Sequence, residues 1–153
     1  MKKFLDQPEC KAEIVARIGN VLPGTPRRWG TMTAPQMICH LSDSYLGVIG
    51  ERYISPAPSN AARSLIKWIA LNSPFHWPKG VPTRPEVDQT IAGTPPADFE
   101  QDKNRLVALV DRFANHPQGV DLQLHPIFGA MSHVEWMRWG YLHADHHLRQ
   151  FGL

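Results

Sequence analysis

Ser132-His133-Val134-Glu135-Trp136-Met137-Arg138-Trp139-Gly140-Tyr141-Leu142-His143-Ala144-Asp145-His146-His147-Leu148-Arg149-Gln150 is the stretch on which the reading of the chain turns. It opens as Ser-x-x-Glu, a capping box in which Ser132 accepts from the Glu135 amide while the Glu135 side chain reaches back. No proline follows, so the pattern predicts one helix of about 18 residues. At roughly 100° per residue, Glu135, Arg138, Asp145 and Arg149 fall in one narrow charged arc. Trp136, Met137, Gly140, Tyr141, Ala144, Leu148 and Phe151 fill the opposite arc, with His143 and His147 inside it and His146 at its edge. Helical residues four apart point the same way with β-carbons about 6 Å apart, so His143 and His147 can meet one metal ion. The pair is also open to plainer readings. Carbonyls, carboxylates or water can satisfy buried imidazoles, and a histidine cation suits a helix C-terminus.

Working outward, the 153 residues suit one domain, 1–153, with a core of its own. Apolar residues make up 42% and charged residues 20%, the balance of a soluble globular chain. The formal net charge is only +2 and the basic residues form no run, which disfavours nucleic acid as a partner. There is no apolar run long enough to span a membrane. Asp6, Pro8 and Glu9 interrupt any leader-like start, so a cytoplasmic protein is expected. Cys10 and Cys39 lack motif spacing, which fits a reducing compartment, and Cys39 reads as a small buried thiol. Eight histidines invite a metal or acid–base reading, although His76, His116 and His133 fall in loop or cap contexts and read as surface residues.

The remaining elements follow from caps and periodicity. Asp6 as N-cap and Pro8 in the first turn start a helix carrying Ile14, Val15, Ile18, Val21 and Leu22, stopped by Pro23-Gly24. Thr25 to Gly30 is a loop whose Arg27 and Arg28 read as solvated charges, with an anionic ligand as the alternative. Thr33-Ala34-Pro35-Gln36 is a second capping box, opening a helix to about Arg52. Its apolar arc holds Met37, Ile38, Leu41, Tyr45, Val48 and Ile49. His40 lies on the other arc with Asp43, Ser44, Gly47 and Glu51, and taken alone it reads as exposed. The alternative is that this stripe lines a pocket, with Gly47 leaving room for a small molecule and Asp43 and Ser44 as supporting partners. Asn60 to Leu71 predicts a short, very apolar helix, and residues 73–97, with six prolines, a long irregular connection that packs, moves or lids a site. Asp98 caps a further helix to about Asn115. Val120 to Leu124 alternates like a short extended piece, and His125 to Gly129 is a turn. His125 reads as a turn residue, or else as one reaching the mouth of a site.

Four amphipathic helices, a short fifth and no convincing sheet predict an all-α bundle, a fold that builds metal sites from inward side chains on facing helices. Gln36-Met37-Ile38-Cys39-His40-Leu41, together with Leu142-His143-Ala144-Asp145-His146-His147-Leu148-Arg149-Gln150-Phe151-Gly152, resembles the DinB/YfiT-like superfamily. Within it, the chain is similar to an uncharacterised bacterial group sharing the His-Pro-x-Phe-Gly turn and the HHLRQFG ending. Leu148-Arg149 departs from the Arg-Gly of many DinB relatives. The resemblance implies an up-down-down-up four-helix bundle, often a homodimer, holding a divalent metal. Carried over by position, the ligands are His40, His143 and His147. It further implies a small-molecule substrate and a zinc- or nickel-dependent transferase or hydrolase, with a low-molecular-weight thiol as a co-substrate. Asp43 and Glu51 are the candidates for orienting a ligand or relaying a proton. The competing expectation is a non-catalytic bundle that binds a metal or small ligand, or one whose histidines are inert.

Overall fold

Helices begin where the caps put them. The computed structural model describes residues 2–58, 61–117 and 122–153, and among these all regular structure is helical. The described residues form five α-helices: α1 (Pro8–Gly19), α2 (Ala34–Val48), α3 (Arg63–Asn72), α4 (Phe99–Ala114) and α5 (His133–Gln150). Both capping boxes form, Thr33 with Gln36 and Ser132 with Glu135, and Asp98 caps α4 through the Gln101 amide. None of the described helices is long and apolar enough to cross a membrane.

Several boundaries differ from expectation. The N-cap of α1 is Gln7 and not Asp6, because Pro8 takes the first helical position, where its missing amide costs nothing. The Gln7 side chain then accepts from the Phe4 amide and the Cys10 thiol. Helix α1 stops at Gly19, a turn before Pro23, and α2 at Val48 rather than near Arg52. Gly50 adopts φ +83°, a left-handed conformation that ends a helix and that glycine reaches without steric cost. Helix α3 starts at Arg63, later than expected. The irregular connection contains a 3-10 turn at Pro85–Val87. Of the expected extended piece, Val120 and Asp121 lie outside the described residues, and its described remainder forms no strand; an isolated bridge joins His125 to Gly129 nearby.

Helix α2 packs on α4 and α5, and α1 packs on the same two, so these four helices share one core. Of the fifteen residues in α2, only Pro35 and Gln36 keep appreciable exposure. The polar arc of α2 is therefore not a solvent face. It is covered by the connection after α3, whose 3-10 turn lies against α2. Gly47 is a contact rather than a vacancy: a Cβ there would fall 2.1 Å from Ile54 Cδ1, so glycine lets the chain leaving α2 fold back on the helix. Helix α3 packs on α5 and buries only Leu71, leaving Leu65, Trp68 and Ile69 exposed.

Candidate metal centre

Three imidazoles from opposite ends of the chain meet between α2 and α5. His40, His143 and His147 each offer a ring nitrogen, and these nitrogens all lie within 4.8 Å of one another. His40 and His147 are 4% and 8% exposed, and His143 is half-buried. His40 thus departs from its reading as an exposed residue. The helical wheel of α2 is correct, but the covering segment turns its polar arc inward.

Neighbouring groups settle which nitrogens are free. His40 Nδ1 lies 2.7 Å from the Val87 carbonyl, which can only accept, so Nδ1 carries the proton and Nε2 keeps its lone pair. The Gln150 amide donates from Nε2 to the Trp29 carbonyl at 2.9 Å, which turns its Oε1 toward His147. His147 Nδ1 donates to that oxygen at 3.1 Å, again leaving Nε2 unprotonated. A carbonyl or amide on the far nitrogen is the arrangement that orients metal-binding histidines. His143 is held differently. Trp139, one turn earlier, stacks on its ring at 4.7 Å and 27°, and its buried Nδ1 has no hydrogen-bond partner.

His40 Nε2 and His143 Nε2 are 3.4 Å apart. That is roughly the edge of a tetrahedron whose metal–nitrogen bonds are 2.0–2.1 Å. The widest of the three separations must shorten by side-chain rotation before all three bonds form. Burial holds all three imidazoles neutral. It lowers His40 against the opposing pull of the Val87 carbonyl and Asp43, and it lowers His143 and His147 further, aided by repulsion among the histidines. Neutral imidazole is the ligating form, so these residues could hold a divalent metal ion.

The other candidates lie elsewhere. Asp43 is fully buried and hydrogen-bonds to none of the three imidazoles. Its oxygens accept from Gln89 Nε2, the Thr94 amide and the Thr94 hydroxyl, and pair with Arg52 at 3.1 Å. Glu51 is exposed beyond the end of α2 and pairs with Arg112. Ser44 donates back to the His40 carbonyl within α2. His125 is a turn residue, its Nδ1 accepting from the amides of Ile127 and Phe128. His146 is half-buried beside His147, with Trp29 and Trp77 near its ring. His76 is exposed as expected, but His116 and His133 are half-buried, and His133 Nε2 donates to the His116 carbonyl. Arg27 and Arg28 reach the Gly30 and Gly152 carbonyls. Both cysteines are free and buried, and burial pushes the Cys39 thiol up to about 12.

Sequence reasoning missed Val87, Gln150 and Trp139. Gln150 and Trp139 stand one helical turn from His147 and His143, a spacing that could have pointed to them. Val87 acts through its backbone, which leaves no residue signature. One family model matches the chain, over residues 51–152, described as Protein of unknown function (DUF1569). No curated protein and no solved structure matches it.

Proposed function

The chain belongs to the DUF1569 family, and from its site we propose a metal-dependent enzyme acting on a small molecule, with His40, His143 and His147 as ligands. The observation that carries this reading is the convergence of the three ring nitrogens within 4.8 Å, with the Nδ1 atoms of His40 and His147 occupied by acceptors. Three protein ligands leave a coordination position open, the arrangement of catalytic rather than structural sites. His143 is the least buried of the three, so a small molecule would approach from its side.

A divalent ion held there, zinc or nickel, would lower the pKa of a water or a low-molecular-weight thiol, the chemistry a hydrolase or thiol transferase requires. The chain's own contribution is to orient and to exclude water. Val87 and Gln150 keep two Nε2 lone pairs presented, and Trp139 and Trp77 wall the cluster with apolar rings. The resemblance to the DinB/YfiT-like superfamily supports the same ligand set. With it we adopt the up-down-down-up four-helix arrangement, one domain over 1–153, a cytoplasmic location and a homodimer.

Metal analysis of protein purified without an affinity tag tests the proposal. The expected result is close to one equivalent in the wild type, and less than about 0.2 in His147→Ala with its helical content retained. Failure of the wild type to take up zinc or nickel would sink the metal reading. A screen of small thiols with electrophilic acceptors tests catalysis separately. Turnover unaffected by His147→Ala would leave a metal-binding protein without the proposed chemistry.

A further inference from the structure

We propose that a groove beside the histidine cluster binds a small oxyanion, a carboxylate or phosphate carried on a flat apolar body, and thereby selects an acidic substrate. Selection of a substrate rests on the metal reading above; binding of the anion does not.

The groove encloses about 520 Å³, within the ordinary size of small-ligand sites. Lys2, Lys3, Arg138 and Arg149 line it, and Asp145 is its lining carboxylate. That carboxylate is already engaged, with Arg17 at 2.9 Å and Arg149 at 3.7 Å. Lys3 is paired with Glu13 at 2.6 Å. Arg138 and Lys2 are left with neutral acceptors. Arg138 donates from Nε to the Leu71 carbonyl at 3.1 Å and from one terminal nitrogen to the Lys3 carbonyl at 2.9 Å. Lys2 donates to the Asn72 side chain at 2.6 Å.

Among the described residues no carboxylate lies within ion-pairing distance of Arg138. Its guanidinium is half-buried and fixed by two carbonyls, with Asp145 near enough to act on it through space but not to pair with it, and one terminal nitrogen is uncommitted. A fixed cation at a partly dry wall focuses the field toward an entering anion. A carboxylate or phosphate oxygen is the natural partner for a guanidinium and an ammonium together.

The walls suit a flat molecule. Phe75, Trp77 and Tyr141 line the groove, and the Trp77 indole is tied down by its hydrogen bond to the Ala70 carbonyl at 2.7 Å. The same indole lies 6.2 Å from the His143 ring, so one side chain borders both groove and cluster. Arg138 lies on the charged arc of α5, away from His143, so groove and cluster meet at Trp77 and at His146, which lines the groove with its ring 5.2 Å from that of His147.

The test is calorimetric titration of the full chain, stripped of metal with a chelator and dialysed, with benzoate, phenyl phosphate, inorganic phosphate and neutral benzyl alcohol. Benzoate and phenyl phosphate are expected to bind, more tightly than inorganic phosphate, and benzyl alcohol is not. Arg138→Gln should weaken both aromatic anions at least tenfold. Lys2→Gln, at an exposed position, should weaken them about threefold. If Arg138→Gln does not fold, Lys2→Gln decides, and unchanged affinity overturns the proposal. Binding that appears only after zinc is restored places the anion on the metal and overturns it too, as does equal affinity for phosphate and phenyl phosphate. Because the titration uses metal-free protein, its outcome is independent of the metal content measured above.

Discussion

A histidine can ligate only through a nitrogen that another partner has left free, so the smallest scale of this site is the proton on Nδ1. Gln150 fixes that proton on His147 through an amide whose own orientation is set by the Trp29 carbonyl. Gln150→Leu is expected to keep the fold and weaken zinc affinity about 10- to 100-fold, read by competition with a chromophoric chelator. His125 gives a prediction for pH. Burial lowers its pKa to about 3, while in the unfolded chain it titrates near the ordinary histidine value of about 6.5. Above 6.5 the imidazole is neutral in both states and contributes no pH dependence. Below it the unfolded chain binds a proton that the folded chain refuses, so stability falls as pH drops from 6.5 toward 3. At pH 5 one such imidazole costs about 2 kcal/mol. Urea unfolding between pH 7 and 4 checks this. His125→Asn, which keeps an acceptor for the turn amides, should remove roughly 1.4 kcal/mol per pH unit from the slope below pH 6.

At the scale of elements, the irregular connection and α2 form one working unit. Arg52 donates to the Glu86 and Ala92 carbonyls and the Thr94 hydroxyl, and pairs with the buried Asp43. Asp43 also takes the Thr94 amide. This clasp lays residues 85–94 over α2 and brings the Val87 carbonyl to His40. Asp43→Ala leaves a half-buried guanidinium without its carboxylate and a partly buried amide without its acceptor. It is expected to cost about 3–5 kcal/mol, read by urea unfolding, and to speed hydrogen exchange at the Thr94 amide beyond that global loss. Equal protection of that amide in variant and wild type, at matched stability, would dissolve the clasp. Zinc affinity should fall as well, because His40 loses the group that orients it.

At the scale of the molecule, α5 seats closely against Phe113 of α4 and against Leu5 because it carries glycine at that contact. A Cβ on Gly140 would sit 2.5 Å from Phe113 Cε1 and 3.1 Å from Leu5 Cδ2. The Tyr45 hydroxyl reaches across from α2 to the Gly140 carbonyl at 2.9 Å. Gly140→Ala improves helix propensity by about 1 kcal/mol, yet it overpacks a core that has no slack. The net expected effect is a loss of about 1–3 kcal/mol, seen as a lower thermal midpoint in a circular-dichroism melt. A higher midpoint would mean that the interface yields and that close approach does not position α5.

What the sequence determined by itself was local. Capping boxes at Thr33 and Ser132, the Asp98 cap and the 3.6-residue periodicity placed the long helices, because each depends on groups within a turn or two of one another. The His143–His147 pair was legible for the same reason, and the resemblance added His40. Only the tertiary structure decided that the polar arc of α2 faces inward, since what covers it arrives from residues 85–94, which carry no periodic signal. It likewise decided that Asp43 is bound up in a clasp, that a backbone carbonyl orients His40, and that the charged arc of α5 lines a groove. A helical wheel reports which residues share a side. The burial and protonation of that side depend on packing partners distant in the chain.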